Sequence, residues 1–225
     1  MARPRRSLTG FPPGAEVCRC GDCARSRQPS RRPALTVRLV LLCAGATAAT
    51  RRARFPDPDD PLDRGGEAKV RALRLGAAGD WPCCTSPARA ARETAAIVAP
   101  AAAVVDALAD QDAGRWRGQE LAAIAPDALG AWLAAPERGP PEGESLDAVR
   151  ARAGVWLDRC ARGDTPRLLA VTHAAVIRGA LAHVLGIAPA ATLAIDVAPL
   201  SLAVLSFSGR WRVQELRRGG ADSSP

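Results

Sequence analysis

Apolar residues fall into short unbroken runs separated by longer stretches of helical period. Val37-Arg38-Leu39-Val40-Leu41-Leu42 and Arg167-Leu168-Leu169-Ala170-Val171 are almost wholly apolar, the pattern of strands covered on both faces. Trp81–Cys84 reads as a shorter strand between them. After the turn-rich Phe55–Pro61, Asp63 to Gly76 predicts a helix. Ala88 to Val98 predicts another, with Ser86 as its cap and Pro87 in its first turn. Ser145 caps a longer helix with Leu146, Val149, Ala153, Trp156, Leu157 and Cys160 on one stripe, and Ala174 to Leu185 forms a helix ended by Gly186. Leu193–Val197, Leu200–Phe207 and Trp211–Leu216 read as three closing strands, the last two a hairpin turning at Ser208-Gly209. Strands alternating with helices predict an α/β fold, a three-layer α/β/α sandwich around a mainly parallel sheet.

The chain of 225 residues suits one domain with tails. Residues 1–34 are rich in Arg, Pro, Ser and Gly without periodicity, which predicts a disordered basic leader; the domain is expected over 35–218 and a disordered tail over 219–225. Of the formal net charge of +8, the leader supplies +6, as eight arginines against Glu16 and Asp22. Beyond it acids and bases are interspersed, so no basic face for nucleic acid is expected. No apolar run is long enough to cross a bilayer, and the polar stretch after Arg5-Arg6 argues against a twin-arginine export signal; no membrane association and a cytoplasmic location are expected. Seven cysteines at irregular spacing predict reduced thiols rather than a disulfide framework. Cys18, Cys20 and Cys23 could share a metal, but a closed zinc site needs a fourth ligand that the spacing does not offer.

In sheets of this kind ligands bind beyond the carboxyl ends of the strands. The informative residues are therefore Cys43-Ala44-Gly45, Thr85-Ser86-Pro87-Ala88-Arg89-Ala90 and Thr172-His173-Ala174. His173 stands where a strand gives way to a helix, a place whose free N–H groups favour an anion. Cys83 to Arg89 also has the Cys-x5-Arg spacing of cysteine phosphatases, but without the glycines such a loop needs and with Pro87 inside it. His183, in mid-helix, reads as a packing or surface residue, and Trp116 as a pin for its loop.

Six motifs in order resemble the histidine phosphatase superfamily, also called phosphoglycerate-mutase-like. They are Leu42–Thr47, Leu62–Gly66, Ser86–Ala95 (SPARAARETA), Asp110–Gly118 (DQDAGRWRG), Gly143-Glu144-Ser145 and Val171–Arg178 (VTHAAVIR). The resemblance covers about residues 36–216 and implies the phosphoglycerate-mutase-like version of the fold. In that family the first motif's histidine attacks phosphorus, two arginines and a second histidine grip the phosphate, and an acid protonates the leaving group. Carried across, the nucleophile position is Ala44, the arginine positions are Cys43 and Ala90, and His173 and Asp110 remain as second histidine and acid. Gly45, Thr47, Arg89 and Glu144 join His173 as candidate ligand contacts.

A methyl group cannot form a phosphoenzyme. The resemblance therefore implies a pseudoenzyme with an anion pocket for a small phosphorylated or carboxylated metabolite, needing no metal or organic cofactor. Two other readings stay open: a residual phosphohydrolase in which His173 and Asp110 activate water, and a scaffold with a vestigial pocket.

Overall fold

Seven consecutive residues, Val37–Cys43, form the central strand β1, and all but Arg38 are buried. In the computed structural model, which describes residues 36–219, β1 lies beside its parallel neighbour β4, Arg167–Thr172. Strands β2 (Cys83–Thr85) and β3 (Ala103–Val104) extend the sheet on the β4 side, and β5 (Leu202–Phe207) and β6 (Trp211–Arg217) close the other. The order is β3-β2-β4-β1-β5-β6, with β1, β2, β3 and β4 parallel, β5 antiparallel to β1, and β6 antiparallel to β5 and so again in the direction of β1. The sheet is mixed but mainly parallel, and its parallel strands carry the ends of interest.

Alternation along the strands divides the interior into two apolar layers. Leu39, Leu41, Cys43, Ala170 and Leu205 face one side, against helices α5 (Leu146–Arg162) and α6 (Ala174–Leu185). Val40, Leu42, Ala44, Leu169 and Val171 face the other, against α2 (Arg64–Ala72) and α3 (Arg89–Val98). The short α1 (Ala48–Arg51) follows β1, and α4 (Pro126–Ala134) belongs to the long connection between β3 and α5.

Local chemistry sets the ends. Ser145 Oγ accepts from the Ala148 amide at the start of α5, and Asp63 accepts from Gly66 at the start of α2 while also pairing with Arg51 of α1. Gly186 ends α6 in the left-handed region at φ 65, as the sequence predicts. Gly114, at φ 53, lets the 110–118 loop press on Pro141, whose carbonyl oxygen would lie 2.2 Å from an added Cβ.

Three local expectations are corrected. Leu193–Val197 is not a strand: Pro189–Ala194 winds into a 3-10 turn, held by the Thr192 hydroxyl on the Pro189 carbonyl, and Arg178 takes the Ile195 carbonyl. The helix after Asp63 stops at Ala72, because Leu73 is extended. Ser86 does not cap α3; that position belongs to Ala88, whose amide the Ser86 hydroxyl accepts. The short β3 and α4 carry no signal of their own in the sequence. The leader over 1–34, its three cysteines and all of the tail except Gly219 lie outside the described residues. Among the described residues no helix is long and apolar enough to cross a membrane.

Packing and charge in this scaffold have measurable consequences. Gly154 of α5 faces the His183 ring, and an added Cβ would lie 2.4 Å from Nδ1. Gly154→Ala should lose about 1–3 kcal/mol in urea unfolding through overpacking, whereas Gly130→Ala, in open space on α4, should gain about 0.5–1 kcal/mol. The Asp63 carboxyl is held down to about 2, chiefly by its hydrogen bond from Arg51. A depressed carboxyl stabilises when ionised, so this contribution is present above its ordinary range and lost as pH falls towards 2. Asp63→Asn should therefore flatten the fall in unfolding midpoint between about pH 4 and pH 2.

Candidate functional site

The register of β1 on β4 sets Cys43 against Thr172, so the residues just beyond, Ala44 and His173, stand side by side. The Ala44 amide donates to the Thr172 carbonyl at 2.8 Å, and the Ser86 amide, beyond β2, donates to Val171 at 2.9 Å. Three strand ends therefore converge on His173, which is also the N-cap of α6. The 110–118 loop comes in from the side, where the Thr172 hydroxyl donates to the Leu108 carbonyl at 2.8 Å. Phe55, Trp116 and Trp132 pack tilted or edge-to-face with ring centroids 5.1 to 5.8 Å apart and hold this loop against Phe55 and α4, the pinning role expected of Trp116.

Both nitrogens of the His173 ring meet protein groups. Nε2 lies 2.9 Å from the hydroxyl of the fully buried Ser86, and Nδ1 lies 3.4 Å from an Asp110 oxygen. The Ser86 oxygen accepts the Ala88 amide at 3.1 Å. The network is satisfied when the Ser86 proton goes to Nε2 and the Nδ1 proton faces Asp110. The ring is thus clamped between strand end and loop.

Beside it opens a cleft of about 650 Å³. It is lined by His173, Asp110, Ala90, Ala174, Ala175 and Arg178, together with Thr47, Arg54, Phe55, Asp57, Asp112, Arg117 and Trp132. Of the residues singled out in the sequence, His173, Asp110, Ala90 and Thr47 reach this cleft. Gly45, Arg89 and Glu144 are not among the residues that line it. The Gly45 amide is used on the Thr94 hydroxyl at 3.0 Å, Arg89 turns outward to pair with Glu93 at 2.8 Å, and Glu144 is held by Arg152 at 2.7 Å. Ala44 lies in the apolar layer beneath the cleft, 6% exposed.

Burial pushes the Cys43 thiol up to about 12, with the Asp110 charge adding and the Arg178 charge opposing. Desolvation likewise raises Cys83 to about 11. Cys83 therefore stays a thiol, and with Arg89 paired outward no cysteine-phosphatase loop is assembled. Among the described residues no cluster of three or more histidine, cysteine or acidic side chains is arranged to hold a metal. Sequence reasoning missed Arg54, Phe55, Trp132 and the Ser86 contact, which depend on how distant loops fold over. Arg178 was within reach: it lies four residues past Ala174 and so on the same helical face.

Comparison with known proteins agrees with this geometry. The profile of the histidine phosphatase superfamily, branch 1, matches residues 39–218. Among solved structures, the mycobacterial glucosyl-3-phosphoglycerate phosphatase is similar at TM-score 0.71 and 25% identity, over 82% of this chain and 100% of that one. A putative alpha-ribazole-5'-P phosphatase from Escherichia coli gives TM-score 0.70 at 20% identity, over 83% and 99%. A mutant phosphoserine phosphatase from Entamoeba histolytica, solved with phosphoserine, gives TM-score 0.70 at 19% identity, over 80% and 96%. Among curated proteins none matches the chain. Since the profile runs from the first strand to the last and takes in the whole cleft, the chain belongs to the histidine phosphatase superfamily.

Proposed function

We propose that this member of the superfamily is a pseudophosphatase, which binds a small anionic metabolite in the cleft and does not turn over phosphate esters. The observation that carries the reading is that the position next to His173 at the end of β1 is Ala44, a methyl group, while the one hydroxyl on the His173 ring, that of Ser86, is fully buried. Loss of a catalytic nucleophile costs on the order of a millionfold in turnover. Ala90 and Cys43, the positions matched to the phosphate-gripping arginines, supply no charge, and a single hydrogen bond from a charged group to phosphate is worth about 1.5–3 kcal/mol.

Retention of binding is supported by the start of α6, whose Ala174, Ala175 and Arg178 line the cleft. The helix has no side-chain cap, so its amides beyond Ala174, which meets the Cys43 sulfur, are left for an anion, and Arg178 adds a cation. The four described cysteines are free thiols, in keeping with a reducing, cytoplasmic setting. The residual-hydrolase reading draws on the His173–Asp110 pair, but an imidazole whose Nε2 is held by a buried serine has no free nitrogen with which to activate water.

Purified protein should release no p-nitrophenol from p-nitrophenyl phosphate above the background rate, and His173→Ala should leave that rate unchanged. Turnover abolished by His173→Ala would replace this reading with the hydrolase. The combined variant Cys43→Arg, Ala44→His, Ala90→Arg should gain phosphatase activity if the seat beside His173 has kept its shape; a folded but inert triple variant would show that the cleft has drifted from a phosphatase site.

A further inference from the structure

The positions matched to the family's two phosphate-gripping arginines, Cys43 and Ala90, carry no charge, so the cations of the cleft come from other residues. Three arginines, Arg54, Arg117 and Arg178, line it with four aspartates, Asp57, Asp60, Asp110 and Asp112. Arg117 is spent on Asp112 at 2.9 Å. Arg54 spends its Nε on the Gly118 carbonyl. Arg178, on α6, has no carboxylate partner among the described residues.

Its geometry is specific. Nε and Nη2 of Arg178 donate to the Ile195 carbonyl at 3.2 and 3.0 Å, which fixes the plane of the guanidinium along one edge. The other edge, formed by Nη1 and the second proton of Nη2, has no hydrogen-bond or ion-pair partner among the described residues. Two parallel N–H groups so presented match the two oxygens of a carboxylate. The charge of Arg178 also reaches the thiol of Cys43, at a position matched to one of the family's arginines, together with the opposing charge of Asp110.

The charge balance then decides which anion fits. With four aspartates against three arginines, the cleft carries one net negative charge. A phosphate monoester, dianionic at neutral pH and above, meets that field with twice the charge of a carboxylate. One half-buried guanidinium, partly offset by Asp110, can balance a single negative charge and not two.

We propose that the cleft selects a monoanionic, carboxylate-bearing ligand, held by the free edge of Arg178, over a phosphomonoester. This rests on the anion-binding reading of the same cleft and narrows it to one head group. The apolar faces of Phe55 and Trp132 then receive the body of the ligand.

Benzoate and phenyl phosphate share one ring and differ in head group, so titration calorimetry at about pH 8, where the phosphate is doubly charged, tests the selection. Benzoate should bind at least about tenfold more tightly than phenyl phosphate, and Arg178→Met should weaken benzoate by about tenfold or more. Arg92→Met, exposed on α3 and outside the cleft, should change it by less than about twofold. Should Arg178→Met fail to fold, Arg178→Lys, which keeps the charge and removes the fork, should still weaken benzoate severalfold. Phenyl phosphate binding as tightly as benzoate would overturn the selection and leave the anion cleft standing. Benzoate binding unchanged in a folded Arg178 variant would overturn the assignment to Arg178. Binding of neither compound would remove the anion cleft itself, and this proposal with it.

Discussion

The parallel pairing of β1 with β4 is the constraint from which the site follows. Its register, Cys43 against Thr172, is fixed by two apolar layers that need opposite faces of the same residues: a slip of one position would turn Leu39 and Leu41 out of one core and Val40 and Leu42 out of the other. Once the register is set, whatever follows Cys43 must neighbour whatever follows Thr172, whether or not the two residues have chemistry to share. Here they are a methyl group and an imidazole. The site is thus inherited from the sheet, and its chemistry is a separate choice of side chains at the strand ends.

That separation explains what was legible in the sequence. Strands β1 and β4, with their unbroken apolar runs, and helices α5 and α6, with a Ser cap and a Gly stop, have local chemistry that agrees with their packing, so both type and position could be read. Ser86, at the start of a convincing capping pattern, misled because its hydroxyl is drawn to His173, a contact 87 residues away in the chain. The Leu193–Val197 stretch looks like a strand by composition, yet Pro189 and the hydroxyl of Thr192 wind the preceding residues into a turn. Among the site residues, those on strand ends were placed by the motifs. Those on loops, such as Arg54 and Phe55, were not, because no periodicity records which loop closes over which.

Gly45, Arg89 and Glu144 show the limit of reading function from motif membership. All three sit in motifs that resemble the family's, and each proves to serve the scaffold: an amide for Thr94, a helix-surface pair with Glu93, and a carboxylate for Arg152. Arg152 also donates to the carbonyls of Ala107 and Asp110, so Glu144 supports the loop that carries Asp110 without reaching the cleft.

Cys43 and Ala44 carry the same logic further. Each is 6% exposed, and they belong to the two opposite apolar layers. A phosphatase would have to keep an arginine and a histidine at this junction, with their charge and hydrogen bonds met by ligand and neighbours, a strained arrangement that stability alone does not favour. A thiol and a methyl group join the cores with nothing left to satisfy, so the strand end becomes structural. The cation needed for any remaining anion must then come from elsewhere, and α6 supplies it: its N-terminus is fixed by β4, and Arg178 lies one turn in on the face that Ala174 presents to the cleft. Arg178 belongs to the VTHAAVIR stretch that resembles a family motif, so the cation on α6 comes with the fold, while the junction after β1 contributes only a thiol and a methyl group.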